Sequence, residues 1–146
     1  GLTGRYAMSE YRCSVRSNYV RVKDEQAFKD FIEGFEECDM VRAKDGRVGF
    51  VCYSWDTPVR YDDEDDLSDP VLLVDSEEEI GRHLCEGEVF VIEEVGSEKM
   101  RFLVGVTYAY NHKGERLFVS MADALREKVA AQWGALDLTD AAYWEE

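Results

Sequence analysis

Met100-Arg101-Phe102-Leu103-Val104-Gly105-Val106-Thr107-Tyr108-Ala109-Tyr110-Asn111-His112-Lys113-Gly114-Glu115-Arg116-Leu117-Phe118-Val119 decides the fold class. From Met100 to Tyr110 the chain alternates with period two. Phe102, Val104, Val106, Tyr108 and Tyr110 line one side, and Leu103, Gly105, Thr107 and Ala109 line the other. That pattern predicts a long strand. Its second side carries small residues that suit close packing of a helix or another backbone. Asn111 to Gly114 predicts a hairpin turn, and Glu115 to Val119 a returning strand. Upstream, Glu88 to Val95 is a third strand. Val89, Val91 and Glu93 face one way, while Phe90, Ile92 and Glu94 face the other. Gly96-Ser97-Glu98-Lys99 turns the chain. Three sequential antiparallel strands make a meander.

Further out, Tyr11 to Arg16 alternates as a half-buried strand, and Tyr19 to Val22 is extended. Asp24 suits an N-cap, because its carboxylate can accept from free backbone N–H groups. Phe28, Phe31, Ile32 and Phe35 then recur at helical spacing and predict about thirteen residues of helix. Met40 to Ala43 and Arg47 to Ser54 are extended on either side of Asp45-Gly46, the preferred pair for a type I′ turn. Val48, Phe50 and Cys52 face one side and Val51 and Tyr53 the other, which predicts cover on both faces. Ser76-Glu77-Glu78-Glu79 reads as a capping box, with Ser76 at the N-cap and Glu79 at N3. Gly87 is expected to end that helix at C′. Ser120-Met121-Ala122-Asp123 is another N-terminal capping signal, after which Leu125, Val129, Gln132 and Trp133 recur at helical spacing. Thr139 to Trp144 suits a last short turn. No βαβ repeat is visible. The expected fold is α+β, a mostly antiparallel sheet of five to six strands with two to three helices packed mainly on one face. A single domain is expected over 8–146 with an acidic loop at 56–75. Residues 1–7 read as a cloning remnant ahead of Met8.

The chain has 146 residues and a hydrophobic fraction of 45%, enough for a core. No apolar run approaches eighteen residues, and no basic n-region precedes an apolar h-region. A cytoplasmic location is expected. Cys13, Cys38, Cys52 and Cys85 are not spaced as C-x-x-C and read as small buried hydrophobes in a reducing compartment. His83 and Cys85 are the only near pair of zinc-type ligands, so no metal site and no cofactor is expected.

No motif carries chemistry. The two histidines, His83 and His112, lack an adjacent nucleophile elbow. Gly46, Gly49 and Gly105 are isolated, so no glycine-rich phosphate loop exists. Asp62, Glu64 and Asp66 alternate like the start of an EF-hand loop, but Leu67 occupies the place of the required glycine. Carboxylate pairs are too abundant to single out a catalytic one. No catalytic residue is assigned, and a non-enzymatic protein is expected.

Charge is the outlier. The chain carries a formal net charge of −15. Tyr61 to Ile80 holds ten carboxylates and no Lys or Arg, so the rest of the chain sits near −5. Such acidity repels nucleic acid and anionic membrane and attracts basic surfaces. Neither is expected as a direct partner. The acids of Ser76 to Glu79 suit the positive end of a helix. Tyr61 to Asp69, with six carboxylates in nine residues, has no such folding reason. It is a solvated loop, a mimic of nucleic-acid phosphate, since same-side residues of an extended chain repeat about every 6–7 Å, or a site for a metal or a basic peptide. The candidate partner-binding residues are Tyr61, Asp62, Asp63, Glu64, Asp65, Asp66, Asp69, Glu77 and Glu78. The apolar Tyr61, Leu67 and Val71 to Val74 favour a binding role, because a purely solvating loop needs no anchors. The alternative is a regulatory module that binds through an apolar sheet face or edge, with acidity serving only solubility.

Ser17-Asn18-Tyr19-Val20-Arg21-Val22-Lys23-Asp24-Glu25-Gln26-Ala27-Phe28, with Gly87-Glu88-Val89 and Gly96-Ser97-Glu98-Lys99-Met100-Arg101, resembles small acidic proteins of phages and mobile elements. The resemblance implies a setting in which acidic proteins act as anti-restriction or anti-CRISPR inhibitors. The implied partner is a basic nucleic-acid-binding host protein. No catalytic residue comes with it.

Overall fold

A computed structural model describes residues 11–99 and 102–134. The expectations for residues 1–7, the start of the long strand at Met100 and the turn at Thr139 to Trp144 lie outside the described residues. In chain order the elements are β1 (Tyr11–Ser17), α1 (Glu25–Glu33), β2 (Cys38–Arg42), β3 (Val48–Cys52), β4 (Val59–Arg60), β5 (Val71–Leu72), a 3-10 turn (Leu73–Asp75), α2 (Glu77–His83), β6 (Phe90–Glu98), β7 (Phe102–Tyr110), β8 (Arg116–Ser120) and α3 (Met121–Trp133). Six strands form one sheet in the order β2-β3-β1-β6-β7-β8, and β4 pairs with β5 in a second, two-stranded sheet. Every pairing is antiparallel. The fold is α+β.

The meander pairs as its alternation predicts, with Phe90 opposite Tyr110, Ile92 opposite Tyr108 and Tyr108 opposite Phe118, but the turn expected at Gly96 to Lys99 does not start there: β6 runs on through Gly96 and Ser97 to Glu98, paired with β1 and β7. β1 adds to the other side of β6, placing Cys13 opposite Gly96 and Val15 opposite Glu94. Phe90, Ile92 and Tyr110 therefore share a face with Cys13 and Val15, and all five are buried. α1 and α2 close that face with Phe28, Ile32, Ile80 and Leu84, each 0% exposed. Phe28 meets Phe90 edge-on at 5.9 Å, and Phe50 lies 6.1 Å from Phe90. Aromatic pairs at this spacing add to what burial alone contributes. Glu94 is on the same face and is buried. It accepts a hydrogen bond from the Tyr11 hydroxyl at 2.5 Å, the partner a buried carboxylate needs. Burial and that bond push the Tyr11 hydroxyl pKa up.

Several local expectations are corrected. The Asp24 cap is present and accepts from the Ala27 N–H at 3.1 Å, but α1 has nine residues and ends at Glu33, so Phe35 is buried from the turn beyond it. At the first hairpin only Gly46 has positive φ (89°), not Asp45 as well. Gly46 N–H donates to Ala43 C=O at 3.0 Å, and Ala43 N–H to Arg47 C=O at 2.8 Å. Lys44 and Asp45 therefore form an ordinary turn that a left-handed glycine closes, rather than a type I′ turn. Tyr53 is 66% exposed, so the outer face there is not covered. The Ser76 capping box does not form. Ser76 does sit at the N-cap, but its hydroxyl donates back to Leu72 C=O at 2.9 Å, and the Glu79 carboxylate is drawn to Arg60. α2 stops at His83 with Leu84 as its cap, four residues short of the expected C′ glycine. Gly87 (φ 87°) serves the following turn.

Ser120 caps α3 by accepting from Asp123 N–H at 3.1 Å. The apolar stripe behind it is not core. Val129 is 9% exposed, whereas Leu125 is 60% and Trp133 74% exposed. Met121 of this helix lies against Gly105, on the sheet face opposite α1 and α2. The small residue at 105 admits it, as the pattern of β7 predicts.

Candidate partner-binding site

The segment at 56–75, expected as a loop, carries regular structure. Val59 pairs with Leu72 and Arg60 with Val71, so residues 61–70 form a closed lobe on a two-stranded stem. The stem is fixed to the core from both ends. Glu36 N–H donates to Val59 C=O at 2.8 Å, and Leu73 N–H to Pro58 C=O at 3.1 Å. Val59 and Leu73 are buried.

Arg60 is the hub of the lobe. Its Nε donates to Asp62 at 2.8 Å, and its two terminal nitrogens donate to the Glu79 carboxylate at 3.1 and 2.7 Å. Its guanidinium lies 5.1 Å from the centre of the Phe35 ring. A planar fork that stacks and binds a carboxylate with two prongs is specific to arginine. The bond to Glu79 raises the Arg60 pKa against the opposing effect of burial. This contact sets the lobe beside the first turn of α2, joining the two acidic runs into one face.

Inside the lobe the acids cap the backbone. Asp63 accepts from Asp65 N–H at 2.9 Å, and Asp66 N–H donates to Asp63 C=O at 3.1 Å. Asp66 accepts from the Ser68 N–H at 3.0 Å and from the Ser68 hydroxyl, which holds its carboxyl below the usual range. These are Asx turns, which give an aspartate-rich loop a fixed path. Three of the six carboxylates thus have folding roles: Asp62, Asp63 and Asp66. Glu64, Asp65 and Asp69 are exposed, and among the described residues their side chains make no hydrogen bond or ion pair. Tyr61 is half-buried and Leu67 is 42% exposed.

The other predicted residues, Glu77 and Glu78, sit on α2. Glu77 lies 3.8 Å from Arg116 and Glu78 3.8 Å from Arg82. Arg116 also donates to Asp75 at 2.7 Å and to Val74 C=O at 3.1 Å, so β8 is pinned to the 3-10 turn. The Asp75 bond raises the Arg116 pKa. An open cleft of about 380 Å³, lined by Asp75, Glu77, Glu78, Glu79, Arg82 and Gly114, among others, runs beside this turn. The face is acidic but buttressed by arginines at its base.

His83 stacks on Phe31 at 4.9 Å and meets Phe28 edge-on at 5.7 Å. Burial lowers its pKa. Among the described residues no group of three or more His, Cys, Asp or Glu side chains is placed to hold a metal ion. No helix among them is long and apolar enough to cross a membrane.

A second surface was not legible in the sequence. β8 is an edge strand, and Leu117 is 74%, Phe118 52% and Met121 65% exposed. The apolar run Leu117-Phe118-Val119 looks like any buried strand. Only the strand order reveals that, among the described strands, β8 has a neighbour on one side alone. No family model, curated protein or solved structure matches the chain.

Proposed function

We propose that this protein is a non-enzymatic inhibitor of mobile-element type, whose acidic lobe occupies the nucleic-acid groove of a basic host protein, as in anti-restriction or anti-CRISPR proteins. The observation that carries the reading is the lobe itself. Asp62, Asp63 and Asp66 are held on a stem by Arg60 and by Asx turns, and the backbone they fix presents Glu64, Asp65 and Asp69 to solvent. A charge run that served only solvation needs no such fixation. Pre-ordering lowers the entropy lost on binding. Fixed carboxylates offer Lys and Arg the field that phosphates do.

The test must spare the acids that hold the lobe together. Glu64→Gln, Asp65→Asn and Asp69→Asn remove charge and leave Asp62, Asp63 and Asp66 in place. Proteins of a bacterial lysate are loaded on immobilised DNA at low salt and challenged with this protein. The expected result is release of a DNA-bound protein by the wild type, with the triple variant at least tenfold weaker and the effect lost at high salt. Equal release by variant and wild type would remove the acidic lobe from the mechanism.

The exposed β8–α3 face favours a second reading, in which the partner binds an apolar edge and acidity serves solubility. Residues 102–134 carry four cations (Lys113, Arg116, Arg126 and Lys128) against three anions (Glu115, Asp123 and Glu127). A net charge of +1 in a chain of −15 leaves this face free of the repulsion found elsewhere. Binding here would survive high salt, and Leu117→Lys would abolish it.

A further inference from the structure

Cys38 and Cys52 stand directly opposite each other on the β2–β3 ladder. The backbone fixes the kind of pair they form. Tyr53 N–H donates to Glu37 C=O at 2.8 Å, and Ala43 N–H to Arg47 C=O at 2.8 Å. Hydrogen-bonded pairs alternate along an antiparallel ladder, so Cys38 and Cys52 fall at a non-hydrogen-bonded position between those two. Cα atoms of such a pair lie about 4.5 Å apart, with side chains at their closest. A disulfide accepts Cα separations of about 4.4–6.8 Å, so these thiols can be bridged with little movement of the backbone.

The two sulfurs are not equivalent. Cys38 is 4% exposed, whereas Cys52 is partly exposed. The two thiols interact, which draws the Cys52 pKa down to about 7 and pushes that of Cys38 up. Cys13, on the neighbouring strand, is pushed the other way, up to about 12, chiefly by burial and then by Glu94. Of the pair, Cys52 is therefore the more exposed and the readier to form a thiolate.

We propose that Cys38 and Cys52 are a redox-active dithiol, closed to a cross-strand disulfide by a low-molecular-weight disulfide, with Cys52 as the entry thiol. The Cys52 thiolate attacks one sulfur of the oxidant. The oxidant's S–S bond breaks, one thiolate leaves, and a mixed disulfide forms on Cys52. Cys38 gives its proton to solvent and attacks the Cys52 sulfur, and the second thiolate departs. Two electrons pass from the protein thiols to the oxidant, which ends as two thiols. The acidic lobe takes no part.

The test uses the whole protein and glutathione disulfide at pH 7, with acid quenching, alkylation, and intact and peptide mass measurement. The four free thiols should fall to two, with a mass loss of about 2 Da and a linked Cys38–Cys52 peptide. Brief alkylation of the reduced protein should label Cys52 before Cys38 and Cys13. In a Cys38→Ser variant the reaction should stop at one glutathione on Cys52. The wild-type peptide map decides the matter even if that variant fails to fold. A stable glutathione adduct on the wild type, a link between any other pair, or four unreacted thiols would each overturn the proposal.

Discussion

At the scale of single residues, Arg60 and His83 each join several groups. Arg60→Ala removes three side-chain hydrogen bonds at once and takes a cation off the Phe35 ring. Because Glu79 can be rehydrated, the expected loss is about 1–2 kcal/mol, measured by urea denaturation. The lobe should also become the first site of limited proteolysis. Arg60→Lys should recover only part, since an ammonium lacks the fork. His83 bears on pH. Burial holds its pKa below the usual 6.5, so the folded state favours the neutral ring. The unfolded chain then takes up the proton first as pH falls. This contribution is fully present above pH 6.5 and is lost as pH drops toward the folded value. The urea midpoint should fall between pH 7 and 5.5, and His83→Phe, which keeps a ring against Phe31, should fall less. An equal fall in both would show that other groups carry the acid sensitivity. The Arg60 role was not legible in the sequence, since Arg60 and Glu79 are nineteen residues apart; the helical spacing that turns Ile80 and Leu84 inward does point His83 the same way, but not at Phe31.

At the scale of elements, periodicity located the six strands of the main sheet but not the β4–β5 stem, because the period-two pattern of β6 and β7 and the phenylalanine spacing of α1 are set by one shared buried face. Patterns failed where a distant partner intervened. Ser76 and Glu79 have the spacing of a capping box, but Leu72 C=O and Arg60 compete for the two side chains and win. α3 has the spacing of a core helix, yet its stripe is largely exposed, since periodicity says which residues share a face and not what covers it. The contact between α2 and the β7–β8 hairpin was equally hidden, and it makes a sharp prediction. A Cβ on Gly81 would come within 2.6 Å of Gly114 N and 2.7 Å of Gly114 Cα. Both are backbone atoms of a turn fixed by Gly114 at φ 80°. Gly81→Ala should therefore cost about 2–3 kcal/mol, read as a lower urea midpoint. Gly34→Ala, whose Cβ meets nothing closer than 3.3 Å, serves as the milder control.

At the scale of the whole molecule, charge is segregated. The sheet edge and helix of 102–134 carry a net +1, so everything else carries the remaining −16 of a −15 chain. Part of that excess is concentrated in a lobe whose backbone Arg60 and the Asx turns fix, so that Glu64, Asp65 and Asp69 stay within a few residues' reach of the other acids. Like charges fixed within a Debye length raise the free energy of the folded state, by an amount that salt screens. Thermal stability should therefore rise as sodium chloride goes from about 10 mM to about 300 mM. The triple variant Glu64→Gln, Asp65→Asn, Asp69→Asn should melt about 2–4 °C above the wild type at the low salt concentration. The gap should close at the high one. The same variant is the one expected to lose release of DNA-bound proteins, so a gain in stability paired with a loss of binding is the signature of acids kept for a partner. A melting temperature unmoved at low salt would mean that these carboxylates scarcely feel one another. A field too weak to act across the lobe is also too weak to steer a basic partner, and the apolar β8–α3 face would then be the better binding surface.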